Sequence, residues 1–277
     1  MRMILALVVW ALAVPARAET TFIGSYIWAS DDARIGGLSG IAVAQDGQAF
    51  TAVSDRSFFV TGQFARTDGI ISAITDIQVI PITGTGAQGD SEGIAIASTG
   101  DVFISFEGVH GLRHFATLDT QSTALPAAPA FATMQRNSSL EALAIDANGV
   151  LYTLPERSGR ATRPFPVYRY ANGVWDQPFT IPRRGAFLVA GADIGPDALL
   201  YVLERDFTGF GFRSRVRRFD LQGQREETLL ETGTFTHDNL EGISVWNDGV
   251  GLRITLVSDD NFRRFQRTEI VEYRISD

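Results

Sequence analysis

The 277-residue chain carries 24 basic side chains, all of them arginine, against 32 acids, a formal net charge of −8, and it has no cysteine. An acidic balance of this kind argues against nucleic acid and anionic membrane surface as partners. Disulfides, thiolate metal sites and redox thiols are excluded, and the lack of lysine excludes Schiff-base chemistry.

Arg2, the apolar run Met3 to Val14 and the exit Pro15-Ala16-Arg17-Ala18 form the pattern of a secretory signal peptide over residues 1–18. The run is too short to span a bilayer, so no membrane span is expected. The reading is an exported protein, periplasmic or secreted, with one domain over residues 19–277.

Next comes Thr21 to Ile27, a single strand with no partner of its own. Gly37 to Arg56 then begins a repeat: an apolar strand, a turn at Asp46-Gly47, a second apolar strand, and the closing carboxylate Asp55. Asp90 to Gly108 repeats it with Glu92 and Glu107 around Thr99-Gly100. The clearest copy is Asn137 to Arg157, where Asn148-Gly149 suits a two-residue hairpin with two positive-φ positions and brings Glu141 and Glu156 to one end. Val189 to Asp206 is degraded in its first strand and keeps only the outer acid Glu204. Asp238 to Asn261 carries Glu241 and Asp259. Closing acids at 55, 107, 156, 204 and 259 recur at intervals of 52, 49, 48 and 55, long enough for one four-stranded propeller blade.

Outer strands are expected at Phe59 to Ala65 and Ile77 to Ile82, at Leu112 to Thr117 and Ala128 to Thr133, at Val167 to Tyr170 and Pro178 to Ile181, and at Val216 to Leu221 and Glu226 to Glu231. The Gly-rich stretch Thr83 to Gly89 has no following Lys or helix and reads as a connector, not a phosphate loop. The fifth unit ends after Glu269 to Ile275, one strand short. The orphan strand at Thr21 to Ile27 supplies the missing one, which closes the ring and removes an open edge. The expected fold is all-β, a propeller of five four-stranded blades closed by the N-terminal strand; six blades is the alternative if a long loop hides a degenerate one.

In such a ring the start of strand one and the end of strand two of every blade meet near the axis at one face. That gathers an inner set, Glu92, Glu141 and Glu241, with Ser39 and Ala190 at the two equivalent positions lacking an acid. Asp55, Glu107, Glu156, Glu204 and Asp259 form a companion set. Crowded carboxylates must be relieved by cations, arginines or raised pKa values. One reading is a calcium site, with Glu92, Glu141, Glu241, Asp55, Glu204 and Asp259 as ligands and Asn137, Asn239 and Asn261 nearby. Glu107, Glu156 and His237, which precedes Asp238 on the same face, are the candidate catalytic acids and bases. Arg56, Arg157 and Arg205 could hold a phosphate or carboxylate bidentately. The other reading is structural: each acid caps its hairpin or pairs with the arginine beside it. Gly37-Leu38-Ser39-Gly40 is not a nucleophile elbow, which disfavours serine-hydrolase chemistry. Phe207, Phe210 and Phe212, in the loop after Glu204, do not read as strand core and form either an exposed binding patch or a lid packed on a neighbouring blade.

Ser91-Glu92-Gly93-Ile94-Ala95, Leu140-Glu141-Ala142-Leu143-Ala144 and Asn239-Leu240-Glu241-Gly242-Ile243, each followed by a strand ending in Glu107, Glu156-Arg157 or Ser258-Asp259, resemble the phytase-like family described as having esterase-like activity of phytase. The resemblance runs from about Gly36 to Ile275. It implies a β-propeller, export, recurring functional Glu and Asp, and phosphoester hydrolysis. The E-G-I-A element is also similar to that of calcium-bound lactonase and gluconolactonase-type propellers, which implies a metal-ligand role for Glu92, Glu141 or Glu241. The gaps at Ser39 and in the fourth copy imply a lopsided site near blades two, three and five. The resulting expectation is an exported, monomeric, calcium-dependent hydrolase of a small anionic phosphoester or related ester. The competing expectation is a non-catalytic propeller that binds a ligand or another envelope protein.

Overall fold

The computed structural model describes residues 18–85, 90–135, 138–263 and 265–276. The expected leader apart from Ala18, the Gly86 to Gly89 part of the connector, and Asn137 lie outside the described residues.

Strands β2 (Leu38–Val43), β3 (Ala49–Ser54), β4 (Phe58–Thr67) and β5 (Ile70–Pro81) make the first antiparallel blade. The second is β6 (Ser91–Ile96), β7 (Val102–Phe106), β8 (Gly111–Phe115) and β9 (Thr123–Ala124). The third is β10 (Leu140–Ile145), β11 (Leu151–Pro155), β12 (Phe165–Ala171) and β13 (Val174–Ile181). The fourth is β14 (Leu188–Ile194), β15 (Leu200–Phe207), β16 (Phe212–Phe219) and β17 (Glu226–Glu231). The fifth runs β18 (Asn239–Asn247), β19 (Leu252–Asp259), β20 (Glu269–Ser276), and its outermost place is taken by β1 (Glu19–Ile27), antiparallel to β20. The ring is therefore five blades, and the N-terminal strand closes it. Six is excluded, since among the described residues no loop holds a further blade.

First strands contact one another around the axis, β2 to β6, β6 to β10, β10 to β14, β14 to β18 and β18 back to β2. Apolar clusters fill the seams between blades; one joins Val53 and Phe59 to Ile94, Ile104 and Phe106, and another joins Leu154 and Phe165 to Val189 and Val202. This is why the second strands are apolar on both faces: Leu200 to Leu203 are all fully buried between neighbouring blades.

Every first strand breaks register at the same place. The pairing slips between Leu38 and Gly40, Ser91 and Ile94, Leu140 and Ala142, Val189 and Gly191, and Leu240 and Gly242. The extra residue of each bulge falls at Ser39, Glu92, Glu141, Ala190 and Glu241, re-aiming one side chain per blade at the axis. In four of the five blades the next residue is glycine, Ala142 being the exception, and the glycine has a packing reason. A Cβ on Gly191 would stand 2.5 Å from the Glu241 carbonyl oxygen, and one on Gly93 2.7 Å from the Leu143 amide nitrogen, so adjacent first strands could not approach.

Three expectations need correction. The hairpin turns are longer than two residues: Gly149 N–H bonds the Asp146 carbonyl, the Asp146 carboxylate accepts from Asn148 and Val150, and only Gly149 (φ 80°) is left-handed. The Asx geometry of Asp146 outweighs the Asn-Gly preference. Ala128 to Thr133 is not a strand: Pro129–Thr133 forms a 3-10 turn, Pro at its start having no N–H to give a ladder, and β9 is instead the two-residue strand Thr123–Ala124. Phe131 anchors the turn edge-on against Tyr168 and Trp175 of the third blade. Lastly, β14 is a regular first strand with the common bulge, so the fourth copy is degraded only in its chemistry.

Candidate functional site

The five bulges deliver three carboxylates to one point. Oxygen atoms of Glu92, Glu141 and Glu241, from three different blades, lie within 4.8 Å of one another. Ser39 turns instead to the Ser91 carbonyl of the next blade, donating at 2.6 Å, and Ala190 offers nothing polar. The trio thus faces blades two, three and five.

The companion ring follows from register. Leu38, Leu140, Val189 and Leu240 pair with Ser54, Pro155, Glu204 and Ser258. The next residue along each second strand is Asp55, Glu156, Arg205 and Asp259, with Glu107 as the second blade's member after Phe106. The fourth blade therefore contributes an arginine, and Glu204, expected as a metal ligand, is one residue out of phase. One residue in a strand is the other face of the sheet. Glu204 is fully buried there, taking 2.7 and 2.5 Å bonds from Arg217 and one of 2.8 Å from Arg215. It is part of the fold's internal charge network and not of the axial cluster.

Arg205 reaches into the trio. Its guanidinium pairs with Glu241, donates to Glu141 at 3.3 Å and to the Asn239 side-chain oxygen at 3.0 Å, and lies 3.7 Å from Glu156. Asn239 in turn donates to Glu241 at 2.6 Å. One cation among seven acids leaves excess negative charge, and the pKa values register it. Burial pushes Glu92 up to about 8, with Glu107 repulsion adding to it, and burial then Glu92 hold Glu141 well above the carboxylate range. Burial also raises Glu107 and Asp55, and lifts Asp259 to about 6 with repulsion from Asp55 and Asp260. The Ser139 hydroxyl, wholly buried, has no hydrogen-bond partner among the described residues, while its backbone N–H donates to Glu107 and its carbonyl accepts from Glu141 and Glu156. Three carboxylates from separate blades, only partly balanced by Arg205, are hard-oxygen donors without a fixed chain spacing, and that chemistry fits a calcium ion.

The remaining expected residues are spread around this centre. Arg157 is exposed, with Nε on Glu156 (3.0 Å) and Ser138 (3.1 Å). Arg56 lies flat on the Phe262 ring, 3.2 Å from its centroid. His237 is buried, and both ring nitrogens have protein partners: Nε2 meets the Tyr273 hydroxyl at 2.7 Å and Nδ1 meets Glu269 at 3.4 Å. Burial is the largest influence on Glu269 and raises it, but the bond and charge of His237, the Asp238 N–H and Arg267 together outweigh it and leave that carboxyl lowered; burial and then Glu269 push Tyr273 up to about 12. His237 therefore clamps the approach to β18 onto β20. Asn261 N–H caps the Asp259 carboxylate at 2.6 Å.

Beside the trio, between blades four and five, opens a cavity of about 810 Å³ whose floor includes Glu156, Arg205, Asn239 and Glu241. Arg157, Arg263 and Arg267 stand around it, as do Phe207, Phe210, Phe235 and Phe265. Acids with arginines, and an exposed aromatic patch, were expected as alternatives; both line one cavity. Arg263, Arg267 and Phe235 lie in irregular segments outside the repeat, so periodicity gave no signal for them.

The family described as phytase-like, esterase-like activity of phytase, matches residues 33–262. No curated protein matches the sequence. Among solved structures the chain is similar to the PQQ-bound aldose sugar dehydrogenase of Streptomyces coelicolor, at 12% identity and TM-score 0.51, covering 95% of this chain and 100% of that one. It is similar also to a gluconolactonase of Xanthomonas campestris, at 11% identity and TM-score 0.50, over 86% of this chain and 72% of that one. A chain of a nidogen/laminin complex aligns at 12% identity and TM-score 0.51, over 92% and 98%. At these identities the likeness shows the propeller fold.

Proposed function

The chain belongs to the phytase-like family, and we propose that it serves there as an exported, calcium-dependent hydrolase of small phosphoesters or related esters. The observation that carries the reading is the convergence of Glu92, Glu141 and Glu241 within 4.8 Å, one from each of three blades, at bulges that exist in all five.

Glu92, Glu141 and Glu241 would hold the ion, with Asp55 and Asp259 on the side of blades one and five as further donors. A bound calcium would supply the charge that lets this crowd of carboxylates ionise together and would polarise an ester or phosphoryl oxygen. Glu107 is the favoured base: burial raises its carboxyl, so its basicity is closer to what proton abstraction near neutral pH needs. Glu156 orients Arg157 and shares Arg205 with the trio, and Arg157 meets the incoming anion at the cavity wall. Net acidity of the chain and a rim holding arginines agree with a small anionic substrate and not nucleic acid. Among the described residues no helix is long and apolar enough to cross a membrane.

Turnover of p-nitrophenyl phosphate and p-nitrophenyl acetate, with calcium and with chelator, tests the reading. Activity should need calcium, and Glu141→Gln should lower metal affinity and turnover together. Turnover indifferent to both chelator and Glu141→Gln would sink it. The exposed phenylalanines favour a second reading, a non-catalytic propeller of the cell envelope that binds a ligand or protein partner; absence of turnover with calcium bound would move the choice there.

A further inference from the structure

Four phenylalanines around the cavity are far more exposed than a chain with this packing needs. Phe210 is 86% exposed, Phe265 78%, Phe235 69% and Phe207 60%, whereas Phe59, Phe106, Phe115, Phe131, Phe165 and Phe219 are fully buried in the blade seams. They come from two blades: Phe207 ends β15 and Phe210 lies in the turn to β16, while Phe235 and Phe265 lie in the segments before β18 and β20. Phe207 stacks at an angle on Phe212, 5.1 Å between centroids, and a Cβ on Gly211 would strike the Phe235 ring at 2.4 Å, so the two loops are seated against each other. Exposed apolar surface gathered at a concave site marks a ligand contact.

The charges beneath limit what that ligand can be. The lining has four arginines, Arg157, Arg205, Arg263 and Arg267, and three carboxylates, Glu156, Asp238 and Glu241. Arg205 is spent on the trio and Arg267 leans toward Asp238 at 3.8 Å. Little net positive charge remains, enough for one acidic group and not for a polyphosphorylated sugar.

Resting on the hydrolase reading of the site, we infer that the cavity selects an amphipathic molecule with a single acidic group: one phosphate or carboxylate directed at the arginines, joined to an aromatic or acyl body covered by Phe207, Phe210, Phe235 and Phe265. The phenylalanines are specificity residues. They cover the body of the ligand and leave the reacting group to the axis.

Calorimetric titration of the chelator-stripped full chain separates this from the question of catalysis, because it needs no turnover. Three probes are compared: 1-naphthyl phosphate, glucose 6-phosphate and inositol hexakisphosphate, with 1-naphthol as the uncharged control. The naphthyl phosphate should bind about tenfold or more tightly than glucose 6-phosphate, the scale of one aromatic body covered by aromatic side chains. Phe210→Ala with Phe235→Ala should erase that advantage and leave glucose 6-phosphate unchanged; Phe210 is so exposed that folding is not at issue. Equal binding of the two monophosphates, tightest binding of the hexakisphosphate, or 1-naphthol binding as well as its phosphate would overturn the inference. A protein that hydrolyses glucose 6-phosphate as efficiently as naphthyl phosphate would remain a hydrolase and still contradict it.

Discussion

Blades three and four share a backbone and differ in charge. Both begin with a strand bulged near its start, at Glu141 in one and Ala190 in the other; beside that bulge the second strand places Glu156, just after β11, in one and Arg205, within β15, in the other. Blade three thus brings two acids to the axis, and blade four brings the cation that partly balances them. What differs is phase: Pro155-Glu156 puts the acid at the axis, and Glu204-Arg205 puts the acid inside the blade and the base at the axis. The propeller repeat dictates where side chains point, and a one-residue choice at each blade decides what chemistry arrives there.

The sharpest contrast is between the two glutamates. Glu204→Ala takes the shared carboxylate from the buried Arg215 and Arg217, leaving Arg217 only Glu226 at the sheet edge, and should cost about 3–5 kcal/mol in urea unfolding, the range for breaking a buried pair. Glu156→Ala, whose partner Arg157 is exposed, should cost less than about 1 kcal/mol, as surface pairs do. Equal losses would put Glu204 back among the axial acids.

Arg205→Ala tests the balance directly. It removes the one guanidinium in the trio, and the chelated protein should lose about 2 kcal/mol, the scale of a charge-assisted bond left unmade, with calcium restoring much of the loss. An unchanged melting temperature without metal would mean that the trio is already relieved by protonation.

A smaller, graded effect is expected with pH. Glu92 has a folded pKa of about 8 against 4.5 for the free group, so the folded protein binds more protons than the unfolded chain between those values, and chelated protein should become less stable as pH rises through that window. Asp259, raised to about 6 from 3.8, acts the same way over a lower window. Melting curves from pH 5 to 8 should fall without calcium and flatten with it. A rise across that interval would contradict the charge excess. Smallest of all, Arg56→Ala should weaken the fold by about 0.5–1 kcal/mol through its lost stacking on Phe262, without changing phosphate binding.

The ring was legible in sequence because its signals are local and repeated: alternate apolar strands, turn glycines, and an acid at each blade end. Closure by Thr21 to Ile27 was legible because one strand was missing and one was spare. The fourth blade's phase was not, since Glu204 and Arg205 are adjacent and an acid is what the other copies show; only the pairing of Leu188 with Arg205 decides it. Asp146 capping its own turn and Pro129 opening a 3-10 turn are choices between short-range options that composition alone does not rank. His237 finds Glu269 and Tyr273 more than thirty residues away, and the phenylalanine rim joins two loops that carry no period. Long-range meetings of that kind come from the closed ring.

The measurement closest to the central claim is the melting temperature of chelator-stripped protein against added calcium, for the natural chain and for Glu141→Gln. A ligand that binds only the folded state at 100-fold over its dissociation constant contributes about 2.7 kcal/mol. The account predicts a saturable upward shift in the natural chain that disappears in the variant. No shift with calcium, magnesium or manganese would contradict it and leave the axial carboxylates as partners of Arg205.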